Sequence, residues 1–496
     1  MDIPQRLAAL RTQDLPVHGG RTMAYVYDAG LPELDELAGR AQAAFAGVNG
    51  LDMTAFPSVV ALENEVVAQT AALLGGAPAG AAPGTTGGAG PGSGLGPRPG
   101  VAGTFTSGGT ESCLLAVLTA REHARLTRGV TAPQIVLPAT AHAAFHKAAH
   151  LFGLDVVTVP VDPESYRVAA EDVAAALTER TALVVASAPS YPHGVIDPVA
   201  QVAAAAAERG VLCHVDACIG GWYLGHRRLA ADLPAPPPFD LAVPGVTSLS
   251  VDLHKYAYTP KGASVLLFRD AELRRHGWFA HASWPGYPVV NATLQGTKSA
   301  GPLAAAWAVL RHVGTDGYVD LSRRVHAATA RLVDGVRRIE GLRVLGEPDA
   351  SLVAVASDDP AVDPFVVGDE MRLRGWYLQP QPAFADSPAN LHLTVTAAVA
   401  DPERIGDLLA ELAAAVGRAR ELGPPQVDPA LVELAGALDP RTLGPEEVAL
   451  ALAAAGVGAD GTLPTRMAPV LAVLQALPPA LTERLLPEVV SRLYAG

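Results

Sequence analysis

Cysteine is nearly absent: Cys113, Cys213 and Cys218 are the only three in 496 residues. An odd number, with no pair at metal-ligand spacing backed by histidines, offers no structural metal site, and a reducing, cytoplasmic setting is the expectation. Dense Lys/Arg runs are missing too, and 50 acidic against 36 basic residues leave a formal charge of -14. That balance gives no electrostatic footing for nucleic acid or an anionic membrane, so a small soluble metabolite is the expected partner. The segment Met1-Asp2-Ile3-Pro4-Gln5-Arg6 lacks the basic start and apolar core of a signal peptide. Every alanine-rich stretch meets a charge before the ~20 apolar residues of a bilayer span, so no integral membrane segment is expected. No fixed repeat accompanies the abundant alanine, glycine and proline, which excludes a fibrous chain.

What is present is enough apolar material, 49% of the chain, for a large core and more than one domain. The tract from Gly75 to Gly100 has almost no charged, aromatic or aliphatic residues and reads as a flexible loop. From Val101 onward, short β-branched runs alternate with amphipathic stretches. Strands are expected at Gln134 to Leu137, Ala182 to Ala186, Val211 to Val215, Leu249 to Val251 and Ser264 to Phe268. Helices are expected at Glu111 to Arg125, Glu171 to Glu179 and Pro198 to Arg209. The alternation predicts an α/β fold with a mostly parallel sheet and functional residues at strand ends. Past Gly301 the pattern becomes long helices with strands within Arg343 to Ala356 and Leu391 to Val395, a smaller α+β domain. The resulting division is an N-terminal segment 1–60, a large domain 61–310, a small domain 311–423 after which Pro424-Pro425 marks a boundary, and a helical extension 424–496.

Chemistry concentrates in three segments. Ser107-Gly108-Gly109-Thr110 opens a helix, where backbone N–H groups, hydroxyls and the helix dipole suit a phosphate; a plain glycine turn with Thr110 as N-cap is the competing reading. Asp216 ends the run Val211 to Val215, placed either to pair with a pyridinium nitrogen or simply to form a turn. His254-Lys255 lies between two apolar runs, a place for an amine nucleophile with His254 beside it for phosphate contact or proton transfer. Singly each is ordinary; in this order, within one α/β pattern, they compose a pyridoxal phosphate site with Lys255 as the Schiff-base lysine.

On Thr106-Ser-Gly-Gly-Thr-Glu-Ser112, Ala141-His142-Ala-Ala-Phe145, Pro192-His-Gly-Val-Ile-Asp-Pro198, His214-Val-Asp-Ala-Cys218, His254-Lys-Tyr256 and Pro260-Lys-Gly262, the chain from Tyr27 to about Val395 resembles the sphingosine-1-phosphate lyase family. This family sits within the group II pyridoxal-phosphate decarboxylase superfamily. The resemblance implies a fold-type-I homodimer with active sites completed by both subunits. It implies that His142 stacks on the cofactor ring, Asp216 binds its nitrogen and Lys255 holds it. Gly296-Thr297-Lys298 falls where the family has a Gly-Ser-Arg turn reaching the cofactor phosphate from the neighbouring subunit; lysine keeps the charge without bidentate geometry.

The implied reaction is a retro-aldol cleavage to an aldehyde and a short amine, with Lys261, Tyr27 and Tyr191 as acid/base candidates, and Lys261 and Tyr27 also facing substrate. One position departs from the pattern. The family has approximately Asn-Pro-Leu-His-Pro where this chain has Asn49-Gly50-Leu51-Asp52-Met53, and its histidine is expected to contact the substrate phosphate. Asp52 would repel a phosphate and favour an amine or hydroxyl, unless a shift of the loop moves it out of the pocket. Two other functions stay open. One is a decarboxylase or aldolase acting on a non-phosphorylated substrate, with Arg372 or Arg374 at the substrate carboxylate or merely exposed on a helix. The other is a non-catalytic protein retaining the fold.

Overall fold

The computed structural model describes residues 2–50, 52–75, 100–454, 458 and 464–494; nearly all of the glycine-rich tract expected to be a loop lies outside them. A seven-stranded sheet is built from β1 (Ala102–Thr106), β2 (Gln134–Pro138), β3 (Asp155–Val159), β4 (Thr181–Ser187), β5 (Leu212–Asp216), β6 (Val246–Asp252) and β7 (Ser264–Phe268), in the order β1-β7-β6-β5-β4-β2-β3. β7 runs antiparallel to both neighbours and the other pairs are parallel. β2, β4 and β7 are buried at every residue, as strands covered by helices on both faces must be, and their near-continuous apolar runs are why the sequence marks them. β1 and β3, the two edge strands, were not anticipated; β3 is half open to solvent, so Asp155–Val159 carries a weaker apolar signal.

The expected strands and helices are all present with shifted ends: three strands and the first helix run longer, while the helices Ala170–Ala176 and Val199–Glu208 are each two residues shorter. Asp216 becomes the last residue of β5, and the first helix runs Gly109–Arg128. Because β1, β5 and β6 share one direction across β7, their carboxyl ends emerge at one edge. Thr106 and Asp252 both lie opposite Ser264, and Asp216 lies opposite Ser250.

The second body is an antiparallel sheet, β10-β11-β13-β12, covered by the helices Pro364–Leu373 and Pro402–Leu422. Its strands are β10 (Leu342–Val344), β11 (Leu352–Ser357), β12 (Gln379–Gln381) and β13 (Asn390–Thr394), and a separate hairpin pairs β8 (Phe279–His281) with β9 (Val289–Asn291). The helix Gly301–Val336 joins the two bodies. Its side chains up to Val325 belong to the large core and those from Ala328 to the small one, although its backbone breaks earlier, at Gly314. The N-terminal segment is stitched into the small sheet. Met23 N–H donates to the Tyr377 carbonyl (2.9 Å) and Thr394 N–H to the Met23 carbonyl (2.7 Å), which brings Tyr25 and Tyr27 to the seam between the bodies. The C-terminal helices Pro429–Ala437, Pro445–Ala454, Ala468–Ala476 and Pro479–Leu493 have their own small core, with Val448, Leu452 and Leu485. They dock on their own chain: Met467 and Ala468 N–H donate to the buried Asp369 carboxylate (2.8 and 2.9 Å), which caps their third helix.

Asp197 closes the loop that carries Tyr191. Its Oδ2 accepts from Ser187 N–H (2.8 Å) while its buried Oδ1 has no partner among the described residues. Burial raises its pKa to about 6, against the opposing pull of the Ser187 and Val168 N–H groups. A carboxyl whose folded pKa is raised contributes stability below its unfolded value of 3.8 that is lost as pH climbs through about 6. Asp197→Asn removes that titration. Its advantage over wild type, read as denaturant midpoint or melting temperature, should grow between pH 4 and 7 towards about 3 kcal/mol, the equivalent of two pKa units; a gap that does not change with pH contradicts this.

Candidate active site

At the carboxyl end of β1 the chain turns through Ser107 and Gly108 into the helix Gly109–Arg128. Gly108 is the N-cap, with φ 154° and ψ 169°. A Cβ on Gly109 would fall 2.7 and 2.8 Å from the two Asp252 oxygens and 2.8 Å from Cys218 Sγ, so glycine is needed there for space. Among the described residues, the N–H groups of Gly108, Gly109 and Thr110 and the hydroxyls of Ser107 and Thr110 have no partner. Thr110 is therefore inside the first turn and does not cap it, which corrects the competing reading of this segment. The capping is done by Glu111, whose carboxylate accepts from Ser107 N–H (2.7 Å) and Leu294 N–H (2.9 Å). Nothing in the sequence pairs Glu111 with residue 294, so this tie was not foreseeable.

One step across the edge, β6 ends at Asp252 and the following turn delivers His254 and Lys255. Lys255 Nζ lies 3.0 Å from Asp252 Oδ2, and the carboxylate is 2% exposed. Burial works against the lysine's charge, yet Asp252, aided by Tyr27, Cys218 and Asp216, outweighs it and holds the ammonium well above the usual lysine range. Burial likewise opposes the carboxylate's charge, but Lys255 and His254 keep Asp252 below the usual aspartate range. Asp252 is the functional residue that the sequence reading passed over; its spacing three before the lysine was the available signal. His254 Nδ1 lies 2.8 Å from the Ala263 carbonyl, which can only accept, so the proton is assigned to Nδ1. Burial lowers the pKa of this ring, so it is neutral and Nε2, 3.5 Å from Asp252 Oδ2, carries the lone pair.

The seam supplies the opposite wall. Lys261 is exposed as a residue, but its ammonium turns onto the Tyr25 carbonyl (2.8 Å) and over the Tyr27 ring (4.9 Å). That desolvation, and then the charge of Lys255, draws its pKa down to about 8, with Asp252 pulling the other way. Burial pushes the Tyr27 phenol up to about 12, and its ring packs edge-on against Tyr256. Tyr191 stacks on His392 (4.2 Å between ring centres), meets His142 edge-on at 6.3 Å, and donates its hydroxyl to Gln379 Oε1 (2.5 Å). Its hydroxyl is thus committed and its ring lines the wall.

At the end of β5, Asp216 Oδ1 accepts from Cys218 N–H (3.0 Å), leaving Oδ2 without a protein partner among the described residues. His142 is exposed, with Nδ1 accepting from Ala144 N–H (3.2 Å). The Gly296–Lys298 turn lies beside the phosphate turn of its own chain, where Lys298 Nζ donates to the Phe105 carbonyl (3.1 Å). Asp52 is occupied locally: its Oδ1 accepts from Thr54 N–H and hydroxyl and from Ala55 N–H, and these bonds lower its pKa. Arg374 is engaged by Glu370 (2.7 Å) and Glu411 (3.3 Å), and Arg372 is exposed.

These residues fit pyridoxal phosphate on the structure's own terms. There are unpaired N–H groups and hydroxyls at a helix head for the phosphate, a free carboxylate oxygen on Asp216 for the ring nitrogen, and a partly buried amine on Lys255, whose side chain is 20% exposed. Cys113, Asp216 and Cys218 also approach one another within 4.8 Å, but with Asp216 assigned to the ring no metal is called for.

Comparison with known proteins agrees. The pyridoxal-dependent decarboxylase conserved domain matches residues 19–356, and a C-terminal putative HTH domain of pyridoxal-dependent enzymes matches 429–492. The chain is 37% identical over 361 residues to a sphingosine-1-phosphate lyase of Arabidopsis thaliana, covering 73% of this chain and 62% of that one. It is 36% identical over 393 residues to one of Oryza sativa subsp. japonica, covering 79% and 68%. The chain thus spans about two thirds of the length of these relatives. The solved sphingosine-1-phosphate lyase of Burkholderia pseudomallei superposes with a TM-score of 0.74 at 36% identity, over 90% of this chain and 96% of that one. The fold is therefore the pyridoxal-phosphate-dependent type anticipated from the sequence, and the chain belongs to the sphingosine-1-phosphate lyase family of pyridoxal-dependent decarboxylase-like enzymes.

Proposed function

We propose that the chain is an aldehyde-lyase that cleaves the Cα–Cβ bond of a sphingoid-base phosphate, or a related 2-amino-3-hydroxy compound, to an aldehyde and a short amine, phosphoethanolamine in the case of sphingosine 1-phosphate. The observation that carries this reading is the pair of oppositely tuned lysines at one sheet edge: Lys255 held charged by Asp252, and Lys261 with its pKa drawn down to about 8. Pyridoxal phosphate, when bound through Lys255 and Asp216, supplies the electron sink for the pair released from the broken bond. What remains for the chain is proton traffic. Lys261 Nζ, neutral in a good fraction near pH 8, takes the proton of the β-hydroxyl. Tyr27 keeps its phenolic proton and donates a hydrogen bond to the substrate oxygen. His254 Nε2 faces Asp252 Oδ2 at 3.5 Å, the same carboxylate oxygen that holds Lys255.

The commitment of Arg374 to Glu370 and Glu411 takes one of the two candidate arginines away from a substrate carboxylate, which supports a lyase over a decarboxylase. The local bonds of Asp52 support reading it as a turn former, compatible with a phosphorylated substrate. The active unit in this reading is a homodimer. Ile3, Leu7 and Leu10 of the first helix stay exposed, as do Phe279, Trp284 and Tyr287 around the β8–β9 hairpin, which leads into Gly296–Lys298. No helix among the described residues is long and apolar enough to cross a membrane. The three buried free cysteines are compatible with a cytoplasmic location.

With pyridoxal phosphate and sphinganine 1-phosphate, the protein should release a long-chain aldehyde and phosphoethanolamine in equal amounts, and Lys255→Ala should release neither; carbon dioxide from an amino acid instead would establish the decarboxylase. Turnover should rise with pH through about 8 as Lys261 loses its proton. Lys261→Arg, charged at every accessible pH, should lose that rise together with roughly 100-fold in kcat. A variant retaining the rising limb would remove Lys261 from the role of base.

A further inference from the structure

A buried ion pair is poor value as a stabilising device. Desolvating both charges consumes most of what their attraction returns, and an apolar pair often serves the fold as well. The Asp252–Lys255 pair is costlier than most. Asp252 Oδ1 is buried with no hydrogen-bond partner among the described residues, an arrangement that works against the fold. The phosphate turn must also do without a side chain at position 109 to leave the carboxylate its room. The site nevertheless puts this carboxylate, rather than the free oxygen of Asp216, against the lysine.

We propose that Asp252 is a positioning residue for Lys255: it receives the free ammonium beneath the phosphate turn whenever the lysine is not covalently occupied, and fixes both its place and its proton. This rests on Lys255 being the cofactor lysine. Three geometric facts support it. Asp252 Oδ2 reaches Lys255 Nζ at 3.0 Å, so the lysine is docked and not roaming the cleft. His254 turns Nδ1 onto the Ala263 carbonyl at 2.8 Å, which commits that N–H away from the carboxylate. The carboxylate itself cannot swing away, since it ends β6 opposite Ser264 and is walled in by Gly109 and Cys218. The raised pKa of Lys255 follows from this docking.

The chain has four lysines, Lys147, Lys255, Lys261 and Lys298, so each amine can be followed separately. The full-length protein, stripped of pyridoxal phosphate, is labelled with trace acetic anhydride from pH 6 to 10.5, and the modification rate of each lysine is read by peptide mass spectrometry. Wild-type Lys255 should react slowly, with its rate still climbing at the top of the range. Asp252→Asn should speed Lys255 labelling at pH 8 at least tenfold and bring its midpoint below 10, while exposed Lys147 does not change. Asp252→Glu, which keeps the charge one methylene further out, should fall between the two and covers the case in which the asparagine variant does not fold. Unchanged Lys255 kinetics in a folded variant would overturn the proposal, as would an equal acceleration at Lys147, which would report general loosening. Because the labelling uses no cofactor, it is independent of the assignment of Lys255 to pyridoxal phosphate; loss of the cofactor's visible absorbance in Lys255→Ala tests that assignment by itself.

Discussion

Everything at this site is arranged around one ion pair at the carboxyl edge of the large sheet, a buried carboxylate and a partly buried lysine. Asp252 and Lys255 are close in sequence, but the pair is held in place by partners from elsewhere. β7 lies alongside β6 and puts Ser264 between Asp252 and Thr106. The phosphate turn gives up a side chain at Gly109 to admit the carboxylate. Asp216 and Cys218 come in from β5 on the other side, and Tyr27 closes the space from the N-terminal segment. Lys261, desolvated against the Tyr25 carbonyl and the Tyr27 ring and then repelled by Lys255, has its pKa drawn down to about 8, while Asp252 holds the proton on Lys255.

The small body contributes by placement. Met23 is knitted into the small sheet and Tyr27 packs against Tyr256, so the N-terminal segment spans the seam and fixes where the Tyr25 carbonyl and the Tyr27 ring meet Lys261. The shared helix Gly301–Val336 keeps the two bodies in register by supplying side chains to both cores. The C-terminal helices are attached to the same small body through Asp369, and Gln475 accepts from Ala383 N–H in the loop after β12, whose Ser387 bonds to His193 near the Tyr191 wall.

Much of this was legible in the sequence, for identifiable reasons. The doubly covered strands β2, β4 and β7 announce themselves as apolar runs, and the residues that follow such runs, Lys255 and Asp216 among them, must emerge at a sheet edge. Asp252 escaped notice because an aspartate at a strand end is ordinarily a turn former, and only the folded chain shows it buried opposite Ser264. The bonds of Glu111 to Ser107 and Leu294 join segments 183 residues apart, which no local pattern reveals. Tyr27 entered through family resemblance, since a three-residue splice into a sheet has no periodicity to read. Asp52 looked important because its charge departs from the family's histidine; what the sequence could not give was that its own turn already engages one oxygen of that carboxylate.

The central claim is that one amine, Lys255, is the point of attachment around which the edge is organised. Reducing the pyridoxal-phosphate-loaded protein with borohydride and mapping the modified peptide tests this most directly, because only four lysines compete. The account predicts a single pyridoxyl group on Lys255 and none on Lys261, although Lys261 has the more available lone pair. A label on Lys261 or Lys298, or no stable label at all, would contradict it.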